Sequence, residues 1–209
     1  VYVITADQRD SRHDEDRVDA VIADITRTWP DALLLPPERT AGDEFQLLPD
    51  SAEVAVDLVL HLHRTQHWSI GLGVGAVEHP LPKTTRAARG PAFFAARRAV
   101  EAAKNRPSRF AVDPDASLTL DFPSVRDLEA LADPLLHLRD QRTEAGWQVV
   151  DLLRDGVTQS DVADRLRVTP QAISLRARSA NARADEPARA ALIRLLAAVD
   201  RVGPEGTEE

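Results

Sequence analysis

The sequence contains no cysteine, which excludes a disulfide framework, a thiolate zinc site and a cysteine nucleophile and agrees with a reducing, cytoplasmic setting. No apolar run approaches the roughly 18 residues that a membrane span requires, and the opening Val1-Tyr2-Val3-Ile4 is too short for the core of a secretory signal. The expectation is a soluble chain with no membrane partner. A basic excess is missing as well: 26 Lys+Arg against 34 Asp+Glu give a formal net charge of -8 and a pI near 5.3. That balance excludes indiscriminate coating of nucleic acid and confines any such binding to one basic face. His63 and His67 stand four apart, but neither an acidic nor a third histidine ligand accompanies them, so zinc is not expected there.

What is present divides into two regions. With 209 residues, 43% of them hydrophobic, the chain has material for two small domains. Up to about residue 120 the pattern alternates. Val1–Ala6 reads as a strand, Asp14–Trp29 as a helix and Ala32–Thr40 as a strand interrupted by Pro36-Pro37. Gly42-Asp43 turns a hairpin into Glu44–Leu48, Ser51–Thr65 is a second helix and Trp68–Val77 a strand. Arg86–Asn105 is a third helix, and Arg109–Leu120 supplies one or two closing strands. The order implies an α/β sandwich with a partly antiparallel sheet over residues 1–123. The alternate glycines Gly71, Gly73 and Gly75 lie inside an apolar strand, where they allow another backbone to approach closely. From residue 124 to 209 strand signals vanish. Asp133-Pro134 opens a long helical stretch ended by Gly156, and Pro187–Val202 is an apolar helix needing a partner surface. Trp147 reads as core of this helical region, and the residues from Gly203 as an acidic, disordered tail.

The segment TQSDVADRLRVTPQAISLRARSAN, from Thr158 to Asn181, reads as two short helices joined by a tight turn. Thr158 caps the first, which begins at Gln159 and keeps Val162, Ala163 and Leu166 on one face. Thr169 caps the second, with Pro170 at its first position, and Ile173 and Ala177 point back at the first helix. The small Ala163 allows the close crossing of a helix-turn-helix. From Thr158 to Arg183, five arginines (Arg165, Arg167, Arg176, Arg178, Arg183) against two aspartates (Asp161, Asp164) leave a charge of +3, opposite in sign to the chain. Gln171, Ser174 and Arg176 carry base-edge chemistry, Arg167, Arg178 and Arg183 carry phosphate chemistry, and Thr158, Gln159 and Thr169 at the helix starts complete the candidate DNA contacts. Double-stranded DNA is the expected partner.

Within residues 1–123, Asp7 and Asp43 stand where strands end. If their strands are neighbours, both carboxylates reach one site and suit Mg²⁺ with a phosphate completing its shell. Ser11, Arg12, Arg89 and Arg98 are candidates to engage phosphate oxygens. Taken together, ADQRDSR (residues 6–12), AGDEFQLL (41–48), SIGLGVGAV (69–77) and GPAFFAARRAVEAAK (90–104) resemble the SatD family, which is similar to the nucleotidyl-cyclase and GGDEF superfamily. The resemblance covers most of the chain, because such proteins often carry a C-terminal helix-turn-helix. It implies an α+β chain: a ferredoxin-like, nucleotidyl-cyclase-like sandwich followed by an all-α helix-turn-helix domain. It further implies Mg²⁺ at Asp7 and Asp43 and a purine nucleotide. Phe94 stands where cyclases place a transition-state asparagine, Arg98 keeps the arginine position, and Thr40 or Ala41 replaces the adenine-selecting lysine. An aromatic ring cannot donate the missing hydrogen bond, so a catalytically degenerate domain is expected. The resulting expectation is a homodimeric transcriptional regulator with a nucleotide-sensing domain. A Mg²⁺-dependent enzyme acting on nucleoside triphosphates and a protein–protein adaptor are the alternatives.

Overall fold

The computed structural model describes residues 1–115, 123–154 and 156–201, Arg201 by its backbone alone. The elements run β1 (Tyr2–Gln8), α1 (Val18–Thr28), β2 (Leu33–Ala41), β3 (Glu44–Pro49), α2 (Ala52–Arg64), β4 (Trp68–Val74), α3 (Pro91–Ala103) and β5 (Phe110–Pro114). They continue with α4 (Val125–Asp140), α5 (Glu144–Arg154), α6 (Gln159–Leu166), α7 (Pro170–Ser179) and α8 (Ala182–Arg201). The protein is therefore α+β, with a five-stranded sheet and eight α-helices among the described residues. Any closing strand between residues 116 and 120, and the tail from Gly203, lie outside the described residues. Contacts divide the chain into two compact units: Val1–Asp133 with the end of α8 from Leu192, and Pro134–Ala191.

In the first unit the strand order is β2-β3-β1-β4-β5. The β2–β3, β3–β1 and β1–β4 pairs are antiparallel and β4–β5 is parallel. Pro36 and Pro37 are accommodated because β2 is an edge strand whose pairing to β3 shifts register around them. Across β1 and β4 the register sets Val3, Thr5 and Asp7 opposite Gly73, Gly71 and Ser69, so these six share one face. Ile4 lies opposite both Leu47 and Leu72 on the other. α3 covers the first face; α1 and α2 cover the second, joined by a His61–Asp24 hydrogen bond of 2.7 Å and an edge contact of Trp29 on His61.

The glycines of β4 decide how closely α3 packs. A Cβ on Gly71 would sit 2.2 Å from the backbone nitrogen of Val100, and one on Gly73 would sit 2.2 Å from the carbonyl oxygen of Ala92. α3 answers with Ala92, Ala96, Ala99 and Ala103, all essentially fully buried. Phe93 packs beside the cluster of Val3, Leu35, Leu48 and Val77, whereas Phe94 is 69% exposed.

Several boundaries differ from the sequence expectation, each for a local reason. β1 runs through Asp7 to Gln8 instead of stopping before them. α1 begins at Val18, after turns that include Asp10 in the left-handed region. α3 begins at Pro91, not near Arg86, because Gly90 adopts φ +136° with its Cβ position 2.6 Å from the Cα of Val77, which only glycine tolerates. α4 begins at Val125, with Pro134 inside it, not at the cap. The start is fixed by Asp127, whose carboxylate accepts from the Ser124 backbone N–H at 2.8 Å and hydroxyl at 2.6 Å. The helical stretch then breaks, and Thr143 accepts from the Gly146 N–H at 3.2 Å as α5 begins. α8 likewise starts at Ala182, five residues before Pro187, immediately after Asn181 turns the chain with φ +52°.

Replacement of Gly71 by Ala drives a methyl group into backbone that cannot swing aside. We expect a loss of about 3 kcal/mol, read in urea unfolding as a lower midpoint at an unchanged m-value.

Candidate nucleic-acid interface and acidic cleft

The second unit is built around a small apolar cluster in which Val149 of α5 meets Val162 and Ala163 of α6 and Ile173 and Ala177 of α7. Ala163 is 1% exposed and Ile173 0%, both within the packed seam between α6 and α7. Thr158 and Thr169 cap α6 and α7, accepting from the N–H groups of Asp161 and Ala172, each at 3.2 Å. Their hydroxyls are thus engaged in capping; Thr158 also donates to Asp161 Oδ2 at 2.7 Å. Between the helices Arg167 takes the left-handed conformation, φ +53°, in a place that ordinarily favours glycine. On α7 the exposed side chains are Pro170, Gln171, Leu175, Arg178 and Ser179, with Ser174 and Arg176 half-buried beside them.

Gln159, Ser174, Arg178 and Arg183 line one groove of about 580 Å³ together with Arg154. Gln171, Arg167 and Arg176 lie outside its lining. None of Arg167, Arg176, Arg178 and Arg183 makes an ion pair among the described residues, although Asp185 and Glu186 also line the groove.

What fixes α7 relative to its neighbours is a buried carboxylate. Asp185, at the start of α8, accepts from Arg139 Nη1 at 2.8 and 2.9 Å, from Arg142 Nη2 at 2.7 Å and from Arg154 Nη2 at 2.9 Å. Arg142 Nε donates to the carbonyl of Ala180, the C-cap of α7, at 2.7 Å. The guanidinium carbons of Arg139 and Arg142 lie 4.7 and 4.6 Å from the centroid of the Trp147 ring. Trp147 is accordingly half-buried under cations, not a plain core residue. Burial pushes the Asp185 carboxyl up, but the charges of Arg139 and Arg142 outweigh it and hold the group below its ordinary range. Burial lowers Arg139 in turn.

In the first unit β1 and β3 are neighbours, and the Gly42-Asp43 turn brings Asp43 beside the end of β1, where the Gln8 N–H donates to the Asp43 carbonyl at 3.0 Å. Ser11 donates to Asp43 Oδ2. Asp7 lies on the α3 face, and its Oδ2 is 3.0 Å from Nζ of Lys104, which also meets Glu101 Oε1 at 3.0 Å. Burial, together with the nearby charge of Asp43, raises the Asp7 carboxyl against the pull of Lys104. Lys104 is raised too: burial lowers it, but its bonds to Glu101 and Asp7 more than offset that. The pair therefore favours the ammonium more firmly than the carboxylate. Asp7, Ser69, Lys104 and Arg109 line an open cleft of about 700 Å³.

Of the candidate phosphate ligands, only Ser11 joins the acids. Arg12 is exposed. Arg98 is held by Asp113 Oδ2 at 2.7 Å, and Asp113 pairs with Gly73, four positions along β4 from the partner of Asp7. Arg89 lies past the other end of the strand, where its carbonyl accepts from the Glu78 N–H at 2.9 Å. A Mg²⁺ ion does not fit this donor set as it stands, because one carboxylate already holds an ammonium and the other a hydroxyl. Among the described residues no group of three His, Asp or Glu side chains is placed to hold a metal ion, and no helix is long and apolar enough to cross a membrane.

Sequence reading overlooked Lys104, Arg154 and the Asp185 cluster. The partners of Asp185 lie 31 to 46 residues away, so no local spacing signals them. No protein-family model, curated protein or solved structure matches the chain.

Asp185→Asn leaves three arginines around a neutral amide, with an expected loss of about 3 to 5 kcal/mol. Because the folded-state pKa of Asp185 lies below its unfolded value, its stabilisation is complete above about pH 4 and is lost as pH falls through the folded value. Unfolding free energies compared between wild type and Asp185→Asn should therefore converge in acid and differ fully at neutral pH.

Proposed function

We propose that this protein is a DNA-binding transcriptional regulator that acts as a homodimer and reads duplex DNA with α7. The observation that carries this reading is the face of α7 and its flanks, where Arg167, Arg176, Arg178 and Arg183 stand without ion-pair partners among the described residues in a chain of net charge -8. Two Thr-capped helices crossing closely over Ala163 support treating α6 and α7 as a helix-turn-helix, with α7 entering the major groove. Gln171, Ser174 and Arg176 then meet base edges, and Arg167, Arg178 and Arg183 meet phosphates. Two copies would address half-sites about one helical turn apart.

Arg167 holds the left-handed turn between α6 and α7, where a non-glycine residue costs about 1 to 2 kcal/mol. For the first unit, the sequence β1-α1-β2-β3-α2-β4, with β3 between β2 and β1 and β1 between β3 and β4, is the order expected of a split, ferredoxin-like arrangement and supports that part of the proposal. It supports a cyclase-like domain that senses a nucleotide and conveys its state to DNA binding. The SatD resemblance belongs to the same proposal.

Three substitutions test the assignment by fluorescence anisotropy on duplex DNA. Arg178→Ala should weaken binding to all sequences and reduce the slope of log K against log salt by about 0.9. Gln171→Ala should relax preference at one base pair, at a cost of about 1 to 3 kcal/mol in discrimination. Arg167→Gly should raise thermal stability by about 1 kcal/mol while weakening DNA binding. If it stabilises and leaves affinity untouched, Arg167 makes no phosphate contact.

A further inference from the structure

We propose that Lys104 is the built-in counter-cation of the Asp7–Asp43 pair, its ammonium taking the place of a divalent ion so that the cleft is independent of metal. This inference concerns the first unit alone and stands whether or not α7 reads DNA.

Asp43 stands in the turn beside the end of β1, one residue before the Glu44 that pairs with Asp7, close enough for its charge to act on Asp7, and Asp7 is largely withdrawn from water, with 18% of its side chain exposed. Two carboxylates so placed repel each other and call for a cation. The cation present is Nζ of Lys104, 3.0 Å from Asp7 Oδ2. It arrives from the C-terminal end of α3, whose seat on β4 is set by the close approach at Gly71 and Gly73. The Lys104 backbone is pinned on both sides: its N–H donates to Val100 at 3.2 Å and its carbonyl accepts from the Arg109 guanidinium. Glu101, one turn earlier, takes a second hydrogen of the same ammonium.

The residue type is itself informative. The sequence holds only two lysines, Lys83 and Lys104, among 26 basic residues, so arginine is used almost everywhere else. A guanidinium is broad, planar and forked, whereas an ammonium is a compact point charge, the side-chain group nearest in shape to a small metal ion. Asp43 completes the arrangement without metal by accepting the Ser11 hydroxyl. A tethered ammonium acts at the high effective concentration of an intramolecular ligand and competes well against free divalent ions.

The test is a Mn²⁺ titration of the full chain, followed by the electron paramagnetic resonance signal of free Mn²⁺, with thermal unfolding confirming that each variant is folded. Wild type should show no site that depends on Asp7. Lys104→Ala should bind Mn²⁺ at least about tenfold more tightly than wild type, a gain of about 1.4 kcal/mol. Adding Asp7→Asn to Lys104→Ala should abolish that gain, which separates a formed site from a general change in net charge. Lys104→Gln keeps most of the stem and serves if the alanine variant is unstable. Mn²⁺ binding by wild type that is lost in Asp7→Asn would overturn the proposal, as would folded Lys104 variants that gain no Mn²⁺ binding.

Discussion

The buried carboxylate of Asp185 holds the helical unit to its shape. Three guanidiniums from α4, α5 and the loop between them converge on it, and one of them, Arg142, also grips the last turn of α7 through the Ala180 carbonyl. Apolar packing around Ala163 and Ile173 sets how closely α6 and α7 approach, but it is non-directional and does not fix the exit of α7. The Asp185 cluster supplies that direction. A buried ion cluster is not an economical source of stability; its value lies in specifying one arrangement. The surface arginines of α7 are consequently carried on a helix whose orientation is set from inside, as the proposed reading of DNA would require.

The first unit is governed by steric closeness instead of charge. Glycines on β4 and alanines on α3 let the helix lie nearly on the strand, and this seat determines which polar groups can meet. Arg97 reaches Glu44 at 2.9 Å, Arg98 reaches Asp113 and Lys104 reaches Asp7, one helix and its C-cap placing three cations against three acids of the same sheet face. Two of the arginines suited by residue type to bind phosphate are thereby placed elsewhere, Arg98 in its own ion pair and Arg89 at the far end of the strand.

Much of this was legible in the sequence where the signal is local. The Gly42-Asp43 hairpin, the capping threonines at 158 and 169, the inward Ile173 and Ala177, and the glycine spacing in β4 all follow from rules spanning a few residues. Boundaries failed where a stronger nonlocal term decided. Pro134 and Pro187 read as helix starts because proline favours the first turn, yet both lie inside helices, α4 having its cap at Ser124 and α8 its anchor at Asp185. The acid pair was foreseeable from the strands, but its occupant was not: nothing near Asp7 in sequence points to Lys104, which the α3 seat brings to it from 97 positions away. Trp147 read as core because a lone tryptophan in an apolar helix usually is, and the two arginines over it come from α4 and the loop that follows it.

The proposed recognition requires that the surface of α7 distinguish one DNA sequence from another. Selection of the full-length protein against a random duplex library, with sequencing of the bound fraction, tests it most directly. We predict a recurring pair of half-sites about 10 base pairs apart from centre to centre, with enrichment that disappears in Arg176→Glu. A bound pool no different from the input library would contradict sequence-specific recognition by α7.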